Sequence, residues 1–225
     1  MRRYDAIRIG LPFAASLFLA FLSTSAVLTG CHVIANGEGP AGDSFFPLAR
    51  GNQWVYAWFD RGREMGRDTV SIDMMAQIDG VKYFRVNAPW PGFGGGLLVR
   101  RDAKGNLIWD SHPDTSNRAL LKPYAKVGER WATGFANQPC ADTFAMSDDY
   151  AVVATPYGLF DGAKQIGAVN RCADYGWGIS LARGIGPVSW VNIGFAGTRT
   201  WLLVSADIHD DPTNPSASSR VVDGN

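Results

Sequence analysis

The sequence predicts an all-β domain, an antiparallel meander curved into a half barrel or packed as a two-layer sandwich, with at most one short helix. Three observations lead there. Short runs dense in β-branched and aromatic residues recur through the chain, several alternating apolar and polar with a period of two. Glycine-bearing turn signals separate them at close intervals. The composition also fits: eight Trp, twelve Phe and 26 Gly in 225 residues suit aromatic packing between tight turns.

Taken in order, Gln53 to Phe59 (Gln-Trp-Val-Tyr-Ala-Trp-Phe) is the first dense strand former. Thr69 to Met74 and Val81 to Val86 follow, and the Asp79-Gly80 pair between them signals a hairpin. Leu97 to Arg101 and Asn106 to Trp109 flank Ala103-Lys104-Gly105, which predicts a second hairpin. Pro89 to Gly96 is a loop by composition. Ser116 to Leu121 is the one place where a helix could open, and Pro123 cuts it short. Tyr150–Ala154, Lys164–Val169, Gly178–Ala182, Val188–Ile193 and Thr198–Ala206 are the remaining strand candidates, with Gly197 turning the chain into the last. One internal echo joins Pro47-Leu48-Ala49-Arg50-Gly51-Asn52-Gln53-Trp54 to Pro123 through Trp131: proline, a basic residue, glycine, then Trp three residues later. A turn that delivers a Trp into a strand start, used twice, explains it, and two matches do not make a repeat architecture.

Ahead of this domain stands an export signal. Arg2, Arg3 and Arg8 make a basic opening, Leu11 to Leu28 an apolar stretch, and Leu28-Thr29-Gly30-Cys31 a lipobox. Lipidation of Cys31 competes with ordinary signal cleavage and with an uncleaved helix; Pro12 and Ser23-Thr24-Ser25 weaken the last. The expected division is a signal peptide over 1–30, a flexible tether over 31–44 after acylated Cys31, one β-rich domain over 45–208 and a disordered tail over 209–225. The lipobox resembles that of bacterial lipoproteins, in which Asp after the cysteine signals inner-membrane retention; His32 stands there, so the resemblance implies the periplasmic face of the outer membrane, with the anchor as the membrane partner.

Residues 1 to 30 hold three of the 21 basic residues and one of the 21 acidic ones, leaving 18 against 20 and a net charge of −2. Without a basic surplus, nucleic acid is not an expected partner. Once Cys31 carries lipid, Cys140 and Cys172 are the remaining thiols in a compartment where disulfides persist; a bridge between them competes with two separate buried cysteines. No C-x-x-C pair or nearby histidine supports zinc or redox chemistry at either.

No catalytic site, metal or cofactor is expected. The histidines, His32, His112 and His209, are scattered, and Asp207-Ile208-His209-Asp210-Asp211 reads as a solvated strand end. Gly92 to Gly96 lacks the Gly-Lys-Ser/Thr of a phosphate loop, and Gly184-Ile185-Gly186-Pro187 lacks the third glycine of a dinucleotide fingerprint. Most of the eight Trp belong to the core. Trp90, between prolines in a glycine-rich loop and close to Phe93, is the candidate contact for a ligand or partner, against the alternative that it caps an end of the sheet.

Phe45-Phe46-Pro47-Leu48 with Gly51-Asn52 and Trp54-x-Tyr56 resembles the "YFPL…GN.W.Y" opening of a group of uncharacterised bacterial lipoproteins. Thr155-Pro156-Tyr157-Gly158-Leu159-Phe160 and Ala182-Arg183-Gly184-Ile185-Gly186-Pro187-Val188 are similar to its later "TP.G.F" and "PG.G.V" elements, although Arg183 replaces a frequent proline and the two cysteines fall outside the pattern. The resemblance spans residues 45 to about 207. It implies a curved antiparallel sheet of half-barrel type, and no activity or site residue comes with it. The leading expectation is a non-enzymatic lipoprotein that binds an apolar ligand or an envelope protein on its concave face. A structural or assembly component of the envelope is the alternative, and a hydrolase with an unrecognised site the least favoured.

Overall fold

The computed structural model describes residues 33–34, 44–87, 96–109, 118–133, 142–169, 175–195 and 197–209. They form thirteen strands in one sheet: β1 (Val33–Ile34), β2 (Gln53–Asp60), β3 (Arg63–Ile78), β4 (Val81–Val86), β5 (Leu97–Arg101), β6 (Leu107–Trp109), β7 (Arg118–Leu121), β8 (Arg130–Thr133), β9 (Asp142–Ala154), β10 (Leu159–Val169), β11 (Gly176–Ala182), β12 (Gly186–Gly194) and β13 (Gly197–Asp207). The spatial order is β7-β6-β5-β4-β3-β2-β13-β12-β11-β10-β9-β8, antiparallel throughout, with β1 added in parallel to β10. The all-β meander predicted from the sequence is present, and it curves without closing into a barrel. The short helix allowed over Ser116 to Leu121 is not there: Arg118–Leu121 is β7, paired with β6. Leu120 and Leu121 are both buried in the core, which recruits the segment to the sheet despite its local pattern.

The connectivity dictates the curvature. The chain starts in the middle of the sheet at β2, meanders outward to β7 at one edge, and resumes with β8 at the opposite edge. Twelve flat strands would set these edges about 50 Å apart at ~4.8 Å per step. The nine residue steps from Leu121 to Arg130 reach about 30 Å at full extension. The sheet therefore curls until its edges meet, and the Trp131 indole Nε1–H donates to the Leu120 carbonyl across them at 3.5 Å. No ladder joins β7 to β8.

Local chemistry supports the bends. Arg61-Gly62 and Asp79-Gly80, the β2–β3 and β3–β4 turns, both hold positive φ at each residue (49° and 78°, 50° and 77°), as two-residue hairpins of matching twist require. The sixteen-residue β3 pairs with β2 through its first half and with β4 through its second. Its register shifts between Ile72 and Met74, so Asp73 bulges out and redirects the strand. Arg85 clamps the bulge with two bonds to the Asp73 carboxylate, at 2.9 and 2.8 Å, and holds that carboxyl below its ordinary range.

The curl creates an interior, and the segment ahead of β2 fills one end of it. Phe45, Phe46, Leu48 and Ala49 are buried with the core strands. Phe46 packs on Trp54 and Phe45 meets Tyr124 edge-on. Ser44 ties the plug to two distant turns: its carbonyl accepts from Gly184 N and its hydroxyl from Arg101 Nη1.

Asn52 fastens this plug. It is fully buried, and its amide Nδ2 donates to the Pro47 carbonyl at 3.1 Å while its Oδ1 accepts from His209 N at 2.7 Å. Its backbone N–H donates to Ala49 and its carbonyl accepts from Ile72. One side chain thus joins the plug, the start of β2 and the chain after β13.

The internal echo has the same bonds at both places. Gly51 N donates to Ile72 O and Ile72 N to Asn52 O; Gly128 N donates to Met146 O and Met146 N to Glu129 O. Gly51 and Gly128 have φ of 98° and 84°, and Trp54 and Trp131 are delivered buried into β2 and β8.

Asn52→Ala leaves the buried Pro47 carbonyl and the partly buried His209 N–H without these partners. The expected loss is about 2–4 kcal/mol of unfolding free energy, read from urea unfolding. A loss within experimental error would show that the bracket carries no stability.

Candidate functional site

The sequence elements that carried the family resemblance meet at the plugged end. Trp54 on β2 donates its indole Nε1–H to the Ile185 carbonyl at 2.7 Å, and the Tyr56 hydroxyl donates to the Pro187 carbonyl at 2.9 Å. Gly186, at φ 95°, lies flat against Pro47 and Trp54, where even a methyl group would sit 3.2 Å from the proline ring. Burial pushes the Tyr56 phenol far above its ordinary value, so it remains a neutral donor. In the Thr155–Gly158 turn, Thr155 Oγ1 bonds the Gly158 N–H, Tyr157 N donates to the Leu203 carbonyl at 3.0 Å, and Tyr157 stacks on buried Phe160. These residues are consumed in holding the fold.

The other end of the inner face is built differently. The register places Trp58, Trp201 and Trp190 in one cross-strand row over β2, β13 and β12. Arg199, Asn192, Trp177, Ala168, Phe144 and Trp131 form the next row over β13 to β8. Burial falls along each row. Trp190, Trp177, Phe144 and Trp131 are core, whereas Trp58 and Trp201 are half-buried and Arg199 and Asp68 are exposed. Trp58 and Trp201 stack with ring centroids 6.3 Å apart and planes at 24°.

Polar groups frame this pair. The Asp68 carboxylate accepts the Trp201 Nε1–H at 2.7 Å, fixing that ring in plane. The Arg199 guanidinium lies 6.0 Å from the Trp58 ring, a cation–π distance. Gly66, directly opposite Trp58 in the ladder, supplies no side chain to cover it; an added Cβ would lie 3.0 Å from Trp58 Nε1. The result is an aromatic surface with a carboxylate on one side and a guanidinium on the other. It can hold an apolar or flat-faced group and bond its polar margin. It offers no paired carboxylates, nucleophile–base couple or other reactive constellation. Among the described residues no group of three or more His, Cys, Asp or Glu is placed to hold a metal ion.

Sequence reasoning assigned Trp58 and Trp201 to the core with the other tryptophans and singled out Trp90 with Phe93. Trp90 and Phe93 lie outside the described residues, as do Cys31, Cys140 and Cys172. The signal for the missed pair was available only as parity: Trp58 shares the face of Trp54 and Tyr56, but lies nearer the β2–β3 turn, where the filling stops.

The chain is similar in structure to two solved proteins. One, from Bacteroides fragilis, is described as exported with a YmcC-like fold; it is 13% identical, with 73% of this chain and 99% of that one covered at a TM-score of 0.47. The other, from Parabacteroides distasonis, is described as a lipoprotein; it is 13% identical over 73% of this chain and 99% of that one, at a TM-score of 0.35. No protein-family profile and no curated protein sequence matches the chain.

A Cys140–Cys172 disulfide is proposed, since these are the two thiols that remain once Cys31 is acylated, in a compartment where disulfides persist. The intact mass of the unreduced chain should fall short of the reduced one by two hydrogens. Cys140→Ser should cost roughly 3–4 kcal/mol by loop entropy. Two alkylatable thiols in the unreduced chain would refute the bridge.

Proposed function

We propose that this chain is an exported envelope lipoprotein, held to the periplasmic face of the outer membrane through acylated Cys31. Its domain binds an apolar ligand on the open end of its inner face and catalyses no reaction. The observation that carries the binding reading is the half-buried Trp58–Trp201 stack framed by Asp68 and Arg199. Two indoles left partly wet on the inner face of a sheet, while the opposite end is packed with Phe45, Phe46 and Leu48, form a surface prepared for a removable occupant. The filled end confines that occupant to the Trp58 side.

An envelope protein as occupant, or a purely structural role, is the second reading. It draws on Phe195, fully exposed at the β12–β13 turn beside half-exposed Ile193, an apolar tip suited to a protein surface.

Titration of the Cys31→Ser chain with a long-chain fatty acid, followed by tryptophan fluorescence, should saturate. Trp58→Ala and Asp68→Asn should each weaken binding about tenfold, near 1.4 kcal/mol, with unchanged thermal midpoints. Saturation that ignores both substitutions, or no saturation, argues against a ligand at this surface. If Phe195→Ala then releases an envelope protein captured by cross-linking, the partner reading takes its place. The anchor is checked separately: Cys31→Ala should abolish labelling by a palmitate analogue in cells, and unchanged labelling would remove the lipid from the proposal.

A further inference from the structure

The chain meets the sheet almost at once after the proposed anchor. Val33–Ile34 pairs in parallel with Leu159–Phe160, the first residues of β10. Two residues of extended chain span at most about 7 Å, and neighbouring strands lie about 4.8 Å apart. Cys31 precedes Val33 by two residues in the sequence. A free coil over residues 31–44 would have a root-mean-square reach near 20 Å in any direction. Val33–Ile34 is instead held at the start of β10.

A second observation concerns what stands beside β1. β9 also pairs with these first residues of β10, and Ala154 faces Leu159. Along β9, Ala151 and Val153 are buried while Tyr150, Val152 and Ala154 alternate outward. Tyr150 is 66% exposed and Val152 63%, an outlay of apolar surface that the core does not need. The stripe runs into the Thr155–Gly158 turn, where Pro156 is exposed. From Ser147 to Gly158 there is no Lys or Arg, and the acids, Asp148 and Asp149, lie at the end of the stripe away from the turn. An apolar strip with a tyrosine, bordered at its Asp149 end by Lys164, whose Nζ donates to the Asp149 carbonyl at 2.7 Å, suits the interface of a phospholipid bilayer, where amphipathic rings settle.

We infer that the β9–β10 hairpin is the bilayer-facing edge of the domain, with the Tyr150–Val152–Ala154 stripe and the Pro156 turn resting on phospholipid. This rests on the lipid-anchor reading above. In an antiparallel meander alternate turns lie at opposite ends, so the β2–β3 turn at residues 61–62 and the β12–β13 turn at Phe195 point away from the membrane.

The test uses the full mature chain, acylated at Cys31 as verified by intact mass, in vesicles of phosphatidylcholine containing bromine-labelled acyl chains. A fluorescent amino acid is incorporated in turn at Val152, Pro156, Arg63 and Phe195. Quenching should be at least threefold stronger at 152 and 156 than at 63 and 195. Ile34→Pro, which removes a backbone donor from β1, should keep the chain on vesicles while narrowing that difference. Equal quenching at all four sites, stronger quenching at 63 or 195, or a cross-link between two copies at 152 without quenching would overturn the inference and leave the anchor intact. A chain that is not acylated and does not associate with vesicles would fail the anchor reading first, and the orientation with it.

Discussion

The eight-residue connection between β7 and β8 is the constraint from which the rest of this structure follows. It joins the two extreme edges of a twelve-strand path, and a chain that short cannot bridge a flat sheet. Curvature is therefore imposed by connectivity, and curvature encloses a volume. Protein interiors tolerate little empty space, so that volume is either filled with side chains or left open to an occupant. This molecule does one at each end.

Filling is concentrated where polar backbone is most at risk. The β11–β12 turn brings the carbonyls of Ile185 and Pro187 into the interior, where an unpaired carbonyl would cost about 1–3 kcal/mol. Trp54 and Tyr56 answer both with single, well-aligned donors while contributing large apolar rings. Asn52 does the same for the Pro47 carbonyl and the His209 N–H. The same residues thus supply volume and hydrogen bonds, which explains why a motif built of Phe, Pro, Asn, Trp and Tyr can be short and still specify the fold. None of these groups has a free atom left for chemistry. The inner face becomes available only past Trp190, where Trp58, Trp201, Asp68 and Arg199 remain partly in water.

Much of the architecture was legible in the sequence because its signals are local. Asp79-Gly80 is a positive-φ turn, the alternation in Val81–Val86 is a strand, and the repeated Gly-x-x-Trp spacing is a repeated turn with identical backbone bonds. What failed was non-local. Ser116 to Leu121 reads as a possible helix start because a short run ahead of a proline carries no clear period; burial of Leu120 and Leu121 in the core decides the matter. Arg63 to Asp68, polar and glycine-bearing, hides the first half of β3, an arm whose solvent exposure removes the alternation that marks strands. The open tryptophans were hidden for a related reason. A Trp in a strand is nearly always core, and only the register with β13 and the bare Gly66 opposite reveal that Trp58 lies beyond the filled region.

The two ends of the domain also divide its tasks in space. The plugged end gathers the Ile185 turn, the Asn52 bracket and the β9–β10 turn, whose Tyr157 N–H reaches the Leu203 carbonyl. β1 joins the sheet beside that same turn, which sets the proposed attachment at the plugged end. The Trp58 surface lies toward the opposite turns, where Arg61-Gly62 and Phe195 are exposed. In the proposed orientation the plugged end carries the anchor and the Trp58 end faces the aqueous compartment, so that a proposed occupant of the aromatic surface would arrive from solution and not by lateral entry from the lipid phase.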